Sequence, residues 1–163
     1  MNLIAAVDKN WAIGNNGELL ARIKGDQQYF KNATLDKVVI LGRETLNTFP
    51  GGKPLKNRTN IILSRDKAYK VENALVVNSV GELLNCIKAY DPKDIYVIGG
   101  QSIYDQLLPY SQTAFITKIQ ASYSADKHFP NLDILREWEL ISTSDKQVEN
   151  DIVFTFNVYK RKV

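Results

Sequence analysis

The feature that most constrains this chain is a set of short apolar runs, several of which end at glycine. Val38-Val39-Ile40-Leu41 breaks at Gly42-Arg43, and Ile95-Tyr96-Val97-Ile98 runs into Gly99-Gly100. Leu3-Ile4-Ala5-Ala6-Val7 is a third such run. Stretches this short and this apolar read as strands buried on both faces, which requires helices packed on each side of a parallel sheet. After the glycine pair, Ile103, Leu107 and Leu108 fall on one helical face and Pro109 ends the segment. A strand, a glycine pair and a helix start together let a backbone approach an anion, because no side chain blocks it and the first N–H groups point outward. A tight turn with no ligand is the competing reading, since no later glycine completes G-x-G-x-x-G.

Taken in order, the pattern predicts strands over residues 3–7, 37–41, 60–63, 74–77, 95–98, 114–119, 138–143 and 152–159. Helices are expected over residues 25–33, after Gly42, from the capping-box pattern Ser79-Val80-Gly81-Glu82 to Asp91-Pro92, and after Gly100. Residues 8–17, with Gly14-Asn15-Asn16-Gly17, read as a loop. Along the last strand Val153 and Thr155 alternate with Phe154 and Phe156, as in a hairpin with two distinct faces. The expected fold is α/β: one domain over residues 1–163, about eight mostly parallel strands, a C-terminal antiparallel hairpin at the edge and about four helices.

Composition narrows the function. A net charge of +3 with Lys and Arg scattered along the chain argues against a nucleic-acid partner and suits a small anionic ligand. One cysteine, Cys86, allows no internal disulfide and fits a reducing cytoplasm. One cysteine and one histidine, His128, make no zinc site of the usual kind. The first residues have neither a basic leader nor the apolar length of a membrane span, so the expectation is a cytoplasmic protein with no membrane partner. A monomer is expected, although nothing in the residues themselves bears on oligomeric state.

Two groups of residues carry chemistry. Asp26 shares a helical stripe with Tyr29, Phe30 and Ala33. It reads either as a helix N-cap or as a carboxylate at the floor of an apolar pocket, where desolvation raises its pKa. Secondly, strand ends carry Gly42-Arg43, Ser64-Arg65 and Gly99-Gly100. Two guanidinium forks suit a phosphate monoester, which favours a phosphorylated dinucleotide such as NADP over NAD.

Further segments fall in a fixed order and spacing: Leu3-Ile4-Ala5-Ala6 with Ile13-Gly14, Asp26 with Tyr29-Phe30-Lys31, and residues 39–45, 52–65 and 97–104. Thr117-Lys118-Ile119 and residues 126–130 complete the set. Through these segments, along nearly its whole length, the chain resembles the bacterial-type dihydrofolate reductases. The resemblance implies reduction of 7,8-dihydrofolate by NADPH. It implies a substrate side formed by Ile4, Ala5, Asp26, Phe30, Phe49, Leu55, Arg58, Ile98 and Thr117, with Asp26 and Thr117 as the catalytic pair. The implied cofactor side is Ala6, Ile13, Gly14, Leu19, Gly42, Arg43, Thr45, Leu63, Ser64 and Arg65, with Gly99, Gly100, Gln101, Ser102, Ile103 and Tyr104 around the diphosphate. The Gly-Gly peptide is commonly cis in this family, and a loop over residues 10–20 closes on the nicotinamide. One departure stands out: the family usually carries Pro-Trp shortly before the acid, where this chain has Leu20-Ala21. A pyrimidine reductase on the same scaffold or a non-catalytic nucleotide module are the alternatives, and neither has reason to keep Asp26, Thr117 and Arg58 together.

Overall fold

The computed structural model describes all residues from Met1 to Val163. Its strands are β1 (Asn2–Val7), β2 (Ala12–Asn15), β3 (Glu18–Leu19), β4 (Val38–Gly42), β5 (Thr59–Leu63), β6 (Leu75–Val77), β7 (Ile95–Gly99), β8 (Thr113–Ile119), β9 (Lys127–His128), β10 (Trp138–Thr143), β11 (Gln147–Glu149) and β12 (Ile152–Arg161). The helices are α1 (Lys24–Thr34), α2 (Arg43–Asn47), α3 (Val80–Cys86) and α4 (Gln101–Leu107).

The main sheet runs β10-β12-β8-β1-β7-β4-β5-β6, with β11 paired to β12. From β8 to β6 every pairing is parallel, and β12 joins β8 and β10 antiparallel. The chain moves outward from β4 to β6 and returns to place β7 between β4 and β1. It then crosses to β8 on the far side of β1. Such a reversal opens a crevice beyond the carboxyl ends of the central strands, because successive connections leave in opposite directions.

Strand side chains alternate between faces, and the two faces pack differently. One is closed by α3 and α4 in a continuous cluster of 22 buried residues that includes Leu3, Ile40, Val97, Ile116, Leu83, Ile103 and Leu107. The other carries two separate clusters. Val39, Leu41 and Ile62 pack under Leu46 of α2, while Ile119 and Phe154 pack with Ile23 beside α1. Ile98 and Phe49 border the first cluster, Ala6 and Phe156 the second. The gap between them is a cleft floored by β1, β7 and β8.

Two expectations are corrected. Residues 8–17 are more than a loop: β2 pairs with β3 and with β9 in a separate three-stranded sheet. The asparagine-rich turn supplies left-handed backbone at Asn16 and Gly17, which permits a hairpin there. The C-terminal hairpin is β11–β12, but β12 lies inside the sheet and β10 forms the edge. The capping box before α3 forms with one change. Ser79 Oγ accepts from Glu82 N–H at 3.0 Å, while the Glu82 carboxylate accepts from Asn78 N–H at 2.6 Å.

Helix α1 has no such local cap. Its N-cap residue, Ile23, has no side-chain acceptor, so the first N–H groups need partners from elsewhere. Glu149 supplies both. Its two carboxylate oxygens accept from Lys24 N–H at 2.6 Å and Gly25 N–H at 3.0 Å, across 125 and 124 positions of sequence. Replacing Glu149 with Ala is expected to lower stability by about 1–2 kcal/mol in urea unfolding, the usual cost of losing a helix cap, with Glu149→Gln milder.

Candidate active site

The carboxylate of Asp26 faces the cleft from the first turn of α1. It is not the N-cap, because the helix begins earlier, so the capping reading is overturned. Instead Thr117 Oγ1, from β8, donates to Asp26 Oδ1 at 2.6 Å. Burial raises the Asp26 pKa, and the threonine bond, which favours the anion, opposes that shift. Tyr29, one turn along, stacks on Phe156 with ring centroids 4.2 Å apart, and both rings are partly buried. Asp26 thus holds a proton more readily than an exposed aspartate while keeping one oxygen free for a ligand.

The cleft wall opposite α1 comes from the carboxyl ends of β4 and β7. Gly99–Gly100 is a cis peptide, and Gly99 has φ of +128°, a conformation that excludes a side chain. A Cβ at Gly100 would stand 3.2 Å from Thr45 Oγ1, and one at Gly42 would stand 2.9 Å from Ile103 Cγ1. The two glycine turns are therefore pressed together, and neither α2 nor α4 is closed by a side-chain cap. Beneath them the buried Tyr104 hydroxyl donates to the Ile4 carbonyl at 2.7 Å, and burial raises its pKa well above the ordinary phenol range. Gln101 reaches across to accept from His128 N–H at 2.7 Å, tying α4 to β9.

The remaining expected residues divide by position. Phe30, Phe49, Leu55 and Ile98 are partly buried, as are Ala5, Ala6, Ile13 and Gly14 near β1 and β2. Ile103 and Tyr104 are buried, their side chains serve the core, and both their N–H groups donate to the Gly100 carbonyl, at 3.1 and 2.9 Å. Leu19 is 61% exposed at the end of the β2–β3 hairpin. Ser102 is exposed, and its Oγ accepts from Gln106 Nε2 at 2.9 Å. Arg58 donates from Nε to Thr34 Oγ1 at 3.2 Å and from Nη1 to the Lys56 carbonyl at 2.8 Å, which leaves Nη2 free. Arg43 and Arg65 are exposed at adjacent strand ends, with Leu63 and Ser64 between them and the core.

Several positioning residues escaped sequence reasoning. Asn60, 3% exposed, binds Leu55 through both backbone groups and so fixes the loop that carries Arg58. Asp8 accepts from the N–H groups of Asn10, Ala12 and Tyr123, and Asp126 accepts from Asn16 N–H at 3.2 Å. These two carboxylates hold the base and the tip of the 10–20 segment. Its tryptophan, Trp11, does not replace the missing indole of Leu20-Ala21. It packs on Phe129 and Tyr159 in the large cluster, whereas Ala21 lines the small cluster beside α1. In sequence Asp8 and Asn60 stand out only as polar residues beside buried apolar runs, and Tyr123 and Asn16 lie 115 and 110 positions from the carboxylates they bind.

A parallel-sheet crevice with a partly buried carboxylate on one wall and glycine and arginine turns on the other is the layout of a nucleotide-dependent enzyme. The chain belongs to the dihydrofolate reductase family, whose pattern matches residues 1–161. It is 32% identical to the dihydrofolate reductase of Bacillus subtilis over 99% of this chain and 95% of that enzyme. It is likewise 32% identical to that of Staphylococcus haemolyticus over 99% and 95%. Among solved structures, Enterococcus faecalis dihydrofolate reductase complexed with NADP(H) and RAB-propyl superposes with a TM-score of 0.88. It is 30% identical, over 99% of this chain and 96% of that one.

The raised pKa of Asp26 has a thermodynamic consequence. Its ionisation costs more in the folded state than in the unfolded one, so its contribution to stability is present at low pH and lost as pH rises through the folded value. Asp26→Asn keeps an acceptor for Thr117 and removes that cost. The variant is expected to unfold at equal or higher urea concentration than the parent at about pH 7, with the advantage shrinking toward about pH 4.

Proposed function

We propose that this chain catalyses the NADPH-dependent reduction of 7,8-dihydrofolate to 5,6,7,8-tetrahydrofolate, feeding one-carbon metabolism and thymidylate synthesis. The observation that carries the reading is the Thr117–Asp26 pair, a half-hidden carboxylate between two apolar clusters and across the cleft from the Gly99–Gly100 turn. Membership of the dihydrofolate reductase family supports it.

On this reading Asp26 accepts hydrogen bonds from the pterin amino group and ring nitrogen, oriented by Thr117. Ile4 and Ile98 offer carbonyls to the same amino group. The Ile4 carbonyl, already bound by Tyr104, has a second lone pair for this. Phe30 and Phe49, on opposite walls, sandwich the rings, with Leu55 and Ala5 filling the edges. Arg58, held by Thr34 and Lys56, presents its free Nη2 edge to the carboxylate of the glutamate tail.

The donor set also suits the cofactor. Gly99 to Tyr104 and Thr45 would line the diphosphate path of the bound cofactor, and Gly42, Leu63, Arg43, Ser64 and Arg65 would hold its 2′-phosphate. Ala6, Ile13, Gly14 and Leu19 would border the nicotinamide. Bound NADPH supplies the hydride for pterin C6. The protein contributes orientation, water exclusion and a field that favours the N5-protonated substrate, with the proton reaching N5 through water. The 10–20 segment, anchored by Asp8 and Asp126, excludes bulk solvent as it closes. The reading includes a cytoplasmic monomer with no nucleic-acid or membrane partner, and no helix is long and apolar enough to cross a membrane.

Mixing the protein with NADPH and dihydrofolate is expected to consume NADPH absorbance in proportion to dihydrofolate; no consumption overturns the reading. Asp26→Asn is expected to lower turnover at neutral pH by about 100-fold or more while folding normally. Arg58→Ala is expected to raise KM for dihydrofolate by about 10-fold with a smaller change in kcat, because the tail contact is made before and during the reaction alike.

A further inference from the structure

The turn after β5 carries a carboxylate that the cofactor reading leaves unused. Asp66 Oδ2 lies 3.4 Å from Arg43 Nη1, just past the end of β5, which pairs with the β4 end that Arg43 follows. Both side chains are about half exposed, so the attraction itself is weak. Its interest lies in how firmly the carboxylate is held. Asp66 Oδ1 accepts from Ala68 N–H at 2.9 Å, and Asp66 N–H donates to Ser64 Oγ at 3.3 Å. From the next strand end, Asn78 Nδ2 donates to the Ser64 carbonyl at 2.7 Å and to the Asp66 carbonyl at 3.3 Å. The Asp66 carboxylate is therefore built into the turn and does not swing away freely.

Arg43 is oriented independently of it. The Arg43 guanidinium stacks over the Tyr69 ring at 4.1 Å to the centroid, which fixes the fork whether or not Asp66 is charged. An incoming phosphate monoester must then share Arg43 with a fixed negative charge. An unphosphorylated ribose meets no such competition, and a carboxylate at a strand end is a good acceptor for its hydroxyls.

We propose that Asp66 is a specificity-determining residue that narrows the preference for NADPH over NADH. The inference rests on the assignment of Arg43, Ser64 and Arg65 to the 2′-phosphate. Asp66 weakens the phosphorylated cofactor by competing for Arg43 and does not oppose the unphosphorylated one. The chain accordingly binds NADH with a smaller penalty than two arginines at that site would otherwise impose.

Calorimetric titration of the free protein with NADPH and with NADH, at fixed ionic strength, tests this without turnover. Asp66→Asn retains an acceptor for Ala68 N–H and so preserves the turn. The ratio of Kd for NADH to Kd for NADPH is expected to rise by about fivefold in Asp66→Asn. An unchanged ratio overturns the proposal, and so does a fall, which would mean that Asp66 orients Arg43 for the phosphate. Arg43→Ala separates the underlying assignment from the proposal. If it leaves the ratio unchanged, the phosphate assignment fails and the proposal with it. If it lowers the ratio while Asp66→Asn does not raise it, the proposal alone is overturned.

Discussion

A parallel sheet must be covered on both faces, and here only one face is covered without a break. The cluster under α3 and α4 holds the central strands in place, each fully buried Leu or Ile contributing roughly 1.5–3 kcal/mol. On the opposite face the apolar side chains form two islands, one under α2 and one beside α1. The closed face supplies the rigidity that lets the other remain split. The cleft follows from that division of labour, and each candidate group is placed by its relation to one island or the other.

The position of Asp26 shows how packing sets chemistry. A carboxylate in the first turn of a helix ordinarily gains from the exposed N–H groups. In α1 the leading N–H groups are taken by Glu149, and Asp26 is left with Thr117 and an apolar wall built on Tyr29 and Phe156. Desolvation therefore outweighs the stabilising bond, and the pKa moves up. The same logic of charge sharing runs through the opposite wall, where Asp66 sits beside the arginine that a phosphate would use.

Much of the architecture was legible in the residues. The runs at Leu3–Val7, Val38–Leu41 and Ile95–Ile98 became β1, β4 and β7, the glycines that end the last two became turns of the cleft, and Ser79 caps α3 as its pattern indicates. The β2–β3 hairpin was not legible, because Ala12 to Leu19 has neither an unbroken apolar run nor clean alternation and pairs partly with the distant β9. Nor was the place of β12. A strand's alternation tells which faces are wet, but not which neighbours it acquires.

At the site the same boundary applies. Sequence alone determined that Asp26 lies on an apolar helical stripe and that arginines follow two strand ends, since periodicity and short-range order are local properties. It left open whether Asp26 caps its helix. The tertiary structure decided that by bringing Glu149 to the helix start and Thr117 to the carboxylate, from 125 and 91 positions away. It likewise decided that Asn60, Asp8 and Asp126 act as anchors, and that Trp11 belongs to the core and not to the cleft. A hydrogen bond needs its partners within about 3 Å, and only the closed sheet brings residues so distant in the chain to that separation.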